Sequence, residues 1–117
     1  MRKKFIEEPL YNSYFYLVWD CSVEELRKWV LSRFNWELEI TDSQVNLGKL
    51  ITIESDGKID WIIWVDKKIK YESLSHELLH LTFNTMRIVG IQLTKESEEA
   101  FTYLYSFYLK RCLAMLK

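Results

Sequence analysis

Apolar and polar residues are arranged along the chain in stretches that each predict an element. Residues 10–19 are rich in aromatic and β-branched side chains and predict a strand. Ser22-Val23-Glu24-Glu25 then forms a capping-box pattern, with Ser at the N-cap and Glu three positions on. Leu26, Trp29, Val30 and Phe34 follow at helical spacing, so 23–34 is expected to be a surface helix with one apolar stripe. After a stretch poor in signals, 49–54 and 58–66 predict two strands. The Asp-Gly pair within Ser55-Asp56-Gly57-Lys58 joins them as an antiparallel hairpin. A helix beginning near Ser73, an acceptable N-cap, is expected to run to about Val89 before Gly90. Thr94 is the expected cap of a last helix over 95–116. Glu96, Glu98 and Glu99 in its first turns, and Lys110, Arg111 and Lys117 near its end, suit the helix dipole. The order strand, helix, hairpin, helix, helix predicts an α+β fold, with helices packed on a small twisted antiparallel or mixed sheet.

Length and composition narrow the picture. A chain of 117 residues suffices for one core, so 1–117 is expected to be a single domain. Aromatic residues make up 15%, enough for a compact interior, and one Pro with three Gly leaves no linker. The formal net charge is −1. The basic clusters Arg2-Lys3-Lys4, Lys67-Lys68 with Lys70, and Lys110-Arg111 are short and read as solvated surface, so no nucleic-acid partner is expected. Cys21 and Cys112 could pair or stay free, a secreted chain of this size would more often carry a richer disulfide framework, and Cys112 lies in an apolar run that suits a buried free thiol. Glu7, Glu8 and Pro9 stand where a signal peptide would be apolar, and 14–19 is too short to cross a bilayer. A cytoplasmic protein without a membrane partner is the expectation. The oligomeric state stays open.

Candidate chemistry is concentrated in His76-Glu77-Leu78-Leu79-His80, which holds both histidines of the chain. Positions i and i+4 of a helix share a face one turn apart, so two imidazoles there can bind one zinc ion. Glu77 between them is the expected general base. A catalytic zinc takes three protein ligands, and with no further histidine the third must be Glu, Asp or Cys. Metzincins would need Gly and His where this chain has Phe83 and Met86, so that branch is excluded. A glutamate from the following helix is the other solution. Glu99 is favoured because it abuts the small Ala100, with Glu98 and then Glu96 as alternatives. Cys112 lies more than about three turns past Glu99 and is a poor candidate. The competing reading makes His76 and His80 ordinary polar residues on an exposed face. Against it, burying two imidazoles and Glu77 among Leu74, Leu78, Leu79 and Leu81 without partners would cost several kcal/mol.

The segments His76–His80, Gly90-Ile91 and Ser97-Glu98-Glu99-Ala100-Phe101-Thr102-Tyr103-Leu104 resemble small zincin-like metallopeptidases encoded by tailed bacteriophages and prophages. The chain is more loosely similar to glutamate-liganded zincins in general, including the ImmA/IrrE-type bacterial peptidases. The resemblance covers roughly residues 59–108 and is thin over the first half. It implies a minimal zincin-like fold, Zn2+ on His76, His80 and Glu99, and a sheet edge at 59–66 that lines the substrate cleft. For a phage protein the location would be the host cytoplasm.

On this reading the protein is a zinc-dependent peptidase acting on a protein or peptide. Glu77 takes a proton from water and passes it to the leaving amine, and the substrate lies extended against the sheet edge. The oxyanion needs a donor as well. Tyr103, one turn after Glu99, is the first candidate, with Tyr71 and Arg87 behind it. The alternative from another class is a catalytically silent zincin-fold binding protein with a structural metal, interacting with a host or phage protein. A third is an interaction domain in which the motif is accidental. Glu77 separates the first two, since a structural site needs ligands but no base.

Overall fold

The computed structural model describes residues 1–40, 48–65 and 71–117. Two strands open the chain, β1 (Arg2–Glu8) and β2 (Ser13–Trp19), followed by helix α1 (Val23–Phe34). The hairpin β3 (Lys49–Ser55) and β4 (Lys58–Trp64) comes next, and helices α2 (Tyr71–Ile88) and α3 (Glu98–Met115) close the chain. The fold is α+β: one four-stranded mixed sheet, ordered β1-β2-β4-β3, with β2 and β4 parallel and the outer pairs antiparallel. None of the helices is long and apolar enough to cross a membrane among the described residues.

Local chemistry accounts for several of these elements. Ser22 Oγ accepts the Glu25 N–H at 3.1 Å and Glu25 Oε1 accepts the Ser22 N–H at 3.3 Å, completing the capping box of α1. Asp56 and Gly57 both have positive φ, 52° and 76°, as a two-residue turn between twisted strands requires. Gly90, at φ 82°, ends α2, and the Ile91 N–H returns to the Met86 carbonyl at 2.9 Å.

The expectations need correction at four places. Strand 10–19 begins only at Ser13, and β1 was not anticipated. Only Ile6 and Glu8 of β1 are buried, so Arg2-Lys3-Lys4 gave no strand pattern; a lysine-rich edge strand of this kind resists further pairing. Ser73 lies inside α2 rather than capping it. The last helix starts at Glu98, because Thr94–Ser97 closes a separate turn. There Thr94 Oγ1 accepts the Ser97 N–H, and the Ser97 hydroxyl donates back to the Gln92 carbonyl at 2.6 Å. Finally, the strand before α2 is not the sheet edge. β4 lies between β2 and β3, and β3 takes the edge. Residues 61–65 form an unbroken apolar run with every side chain buried, the pattern of a strand covered on both faces. The Lys67, Lys68 and Lys70 cluster, and Asp66 at the end of the expected strand, lie outside the described residues.

Two cores follow from this layering. Ile6, Phe15, Leu17, Trp61 and Ile63 meet α2 and α3 on one sheet face, while Val18, Ile51, Ile53, Ile62 and Trp64 meet Leu26 and Val30 of α1 on the other. The free thiols divide between them, Cys112 in the first and Cys21 in the second. Burial pushes the Cys112 thiol up to about 12, and it raises Cys21 as well.

Buried Glu8 ties the β1–β2 turn to the helices. Its carboxylate accepts the Leu10 and Tyr11 N–H groups at 2.6 and 3.0 Å, the Ser13 hydroxyl at 3.0 Å and the Tyr103 hydroxyl at 3.1 Å. Ser13 Oγ also bonds the Tyr108 hydroxyl at 2.8 Å, and that hydroxyl bonds Thr85 Oγ1 at 3.1 Å. The network therefore joins the first hairpin to both α2 and α3.

Candidate metal centre

α2 packs on the sheet through Leu74, Leu78, Leu81 and Thr85, all buried. At 100° per residue His76 and His80 then fall on the opposite side, and both are exposed, so the burial cost weighed against an ordinary exposed pair does not arise. Their Nε2 atoms converge to 3.1 Å, with the rings at 77° and centroids 4.7 Å apart. Two Zn–N bonds of about 2.05 Å meeting near the tetrahedral angle set the nitrogens about 3.3 Å apart. The separation of the pair is therefore close to that of two nitrogens on one zinc ion. The same distance suits a hydrogen bond from one Nε2–H to the other nitrogen, so the imidazoles are matched to each other without the ion.

Glu77 points toward β3. Its Oε2 accepts the backbone N–H of Leu50 at 2.8 Å, which fixes the carboxylate against the sheet edge. This half-buried contact between the motif and the edge strand was not foreseen, because nothing in the local pattern of 49–54 marks one amide for a partner 27 residues away.

The acids of α3 take different directions. Phe101, Leu104, Tyr108 and Cys112 are its buried residues. Against that axis Glu99 points outward, whereas Glu98 falls on the side of Thr102 and Tyr105 that faces α2. Glu98 shares a cleft with Leu79, Thr82 and Phe83 of α2. Among the described residues no third His, Cys, Asp or Glu forms a metal-sized group with His76 and His80. Glu99, Glu98 and Glu96 are thus none of them brought together with the histidines, and Glu96 precedes α3 and is exposed.

Tyr103 is engaged elsewhere. Its hydroxyl donates to Glu8 Oε1, its ring lies 6.5 Å from that of Tyr11, and burial together with the Glu8 carboxylate raises its pKa. The tyrosine of α3 that reaches the motif helix is Tyr105, whose hydroxyl bonds Ser75 Oγ beside His76. The signal for Tyr105 was its spacing, seven residues after Glu98 on the same helix side. Tyr71 is exposed at the first turn of α2, and Arg87 is exposed near its last.

Comparison with protein-family models, curated proteins and solved structures gives no match. The functional reading of this chain therefore stands on its own residues.

Proposed function

We propose that this chain is a zinc-dependent peptidase of the phage or prophage zincin type, with His76 and His80 as ligands and Glu77 as general base. The observation that carries the reading is the convergence of the two Nε2 atoms at 3.1 Å on an exposed helix face, with a carboxylate between them in sequence. A bound zinc ion supplies Lewis-acid polarisation of a peptide carbonyl and acidifies water within its reach. A third ligand would have to come from an acid at the start of α3, where Glu98 lies on the side that faces α2 and Glu99 does not.

Glu77 uses Oε2 to hold the Leu50 N–H, which leaves Oε1 to take a proton from the attacking water and deliver it to the leaving nitrogen. An extended peptide would lie beside β3, an edge strand of the sheet. The site lies on an open helix face, so the substrate itself must exclude much of the water.

Zinc analysis and hydrolysis of a peptide library test the proposal together. About one zinc per chain, hydrolysis by the wild type and loss of hydrolysis with retained zinc in Glu77→Gln are the expected results. Zinc without hydrolysis in the wild type would leave a silent metal-binding protein instead. Failure to take up zinc would remove the reading altogether.

A further inference from the structure

β1 is the outer strand on the side of the sheet away from β3. Its register with β2 runs unbroken from Arg2↔Trp19 to Glu8↔Ser13. In an antiparallel ladder the N–H and C=O groups of alternate residues point away from the neighbouring strand. Among the described residues no backbone hydrogen bond reaches β1 from outside that ladder. The outer side of β1 is therefore a template for one further strand.

The side chains of β1 divide between the two faces of the sheet. Ile6 packs in the core with α2 and α3, and Glu8 bonds Tyr103 of α3. Strand alternation places Lys3, Phe5 and Glu7 on the other face, the side of α1, where all three are exposed. Phe5 is 42% exposed, and its ring lies 5.3 and 5.0 Å from those of Tyr14 and Tyr16 on β2. Along this face β1 reads cation, aromatic, anion, with Phe5 at the centre. Read in reverse, the same face gives anion, aromatic, cation. Lysines turn away an arbitrary strand, but an antiparallel copy of β1 meets each of these charges with its opposite.

We propose that β1 pairs with β1 of a second copy of this chain, antiparallel about a two-fold axis that passes between the two Phe5 residues. Lys3 then stands directly opposite Glu7 of the second copy, and Glu7 opposite its Lys3, at the cross-strand spacing where opposite charges attract. The two Phe5 rings meet on the axis and withdraw exposed apolar surface from water. The same patch serves both copies, so the contact closes at two chains. The joined sheet runs β3-β4-β2-β1 and then β1-β2-β4-β3, which leaves both β3 edges at its outer ends, each beside its own Glu77. Pairing through β1 uses none of the candidate metal residues and holds with or without the ion.

The test is sedimentation velocity on the full chain from about 10 μM to about 1 mM, a range that brackets a weak edge-to-edge contact. The wild type is expected to pass from one chain to two over this range. Lys3→Glu sets two carboxylates opposite each other at both ends of the contact, and Glu7→Lys does the same with ammonium groups. Each variant alone is expected to associate more than about tenfold more weakly than the wild type. An equimolar mixture of the two variants restores both opposite-charge pairs across the axis and is expected to associate at wild-type strength. Raising the salt is expected to weaken the wild-type pair, because exposed charges are screened. Both substituted positions are exposed, so unchanged circular dichroism of the variants is expected alongside. A wild type that stays single throughout, a dimer that survives either charge reversal, or a mixture that stays single where the wild type pairs overturns the inference. Assembly beyond two chains overturns it as well, since a two-fold contact cannot propagate.

Discussion

Glu77 Oε2 accepts the backbone N–H of Leu50 at 2.8 Å, so the candidate general base is also a clasp between α2 and the edge strand β3. The two roles separate by substitution. Glu77→Gln keeps an acceptor oxygen for Leu50 and is expected to leave stability within about 0.5 kcal/mol while abolishing hydrolysis. Glu77→Ala leaves that amide unpaired and is expected to cost about 1–2 kcal/mol in urea unfolding. Equal stability of the two variants would mean the clasp is energetically idle.

Zinc content distinguishes the candidate third ligands. His80→Ala is expected to abolish stoichiometric binding, because one imidazole cannot hold the ion alone. Glu98→Ala is expected to lower zinc affinity more than tenfold, and Glu99→Ala to leave it near wild type, since Glu98 faces α2 and Glu99 faces solvent. Isothermal titration on the three variants is the check, and the opposite order of the two glutamates would return the role to Glu99.

The Glu8 network gives a stability prediction independent of any metal. Glu8→Ala removes the acceptor of two backbone amides and of the Ser13 and Tyr103 hydroxyls, leaving Ser13 its bond to Tyr108, and is expected to cost about 3 kcal/mol. Tyr103→Phe removes one donor at the same carboxylate and is expected to cost about 1 kcal/mol, with zinc binding unchanged. A larger effect of Tyr103→Phe on kcat than on unfolding would instead support the catalytic role first considered for it.

Alkaline pH is expected to weaken the fold. The Cys112 thiol, ordinarily near 9.0, is pushed up to about 12 by burial. Below about pH 9 it is protonated in both states and its burial contributes fully. Between 9 and 12 the unfolded chain loses the proton while the folded chain keeps it, so stability falls as pH rises. Tyr14 adds the same sign from 10.0 to about 12, through burial and the neighbouring Asp60. Urea midpoints across this range are expected to fall less steeply in Cys112→Ala than in wild type, and parallel slopes would discount the thiol.

Much of this molecule was legible from short-range signals. The capping box Ser22-Glu25, the Asp56-Gly57 turn and the i, i+4 histidine pair are each set within a few residues, by backbone geometry that any chain obeys. These local rules determined α1, the second hairpin and the convergence of His76 with His80. Tertiary structure decided which strand forms the edge beside Glu77, which glutamate of α3 faces α2, and that Tyr105 rather than Tyr103 reaches the motif helix. It also made Arg2–Glu8 a strand, through pairing with β2 along its whole length. Strand order and the rotation of a helix about its axis depend on contacts between residues far apart in sequence. A helix apolar on several sides, as α3 is, carries no local mark of which side meets its neighbour.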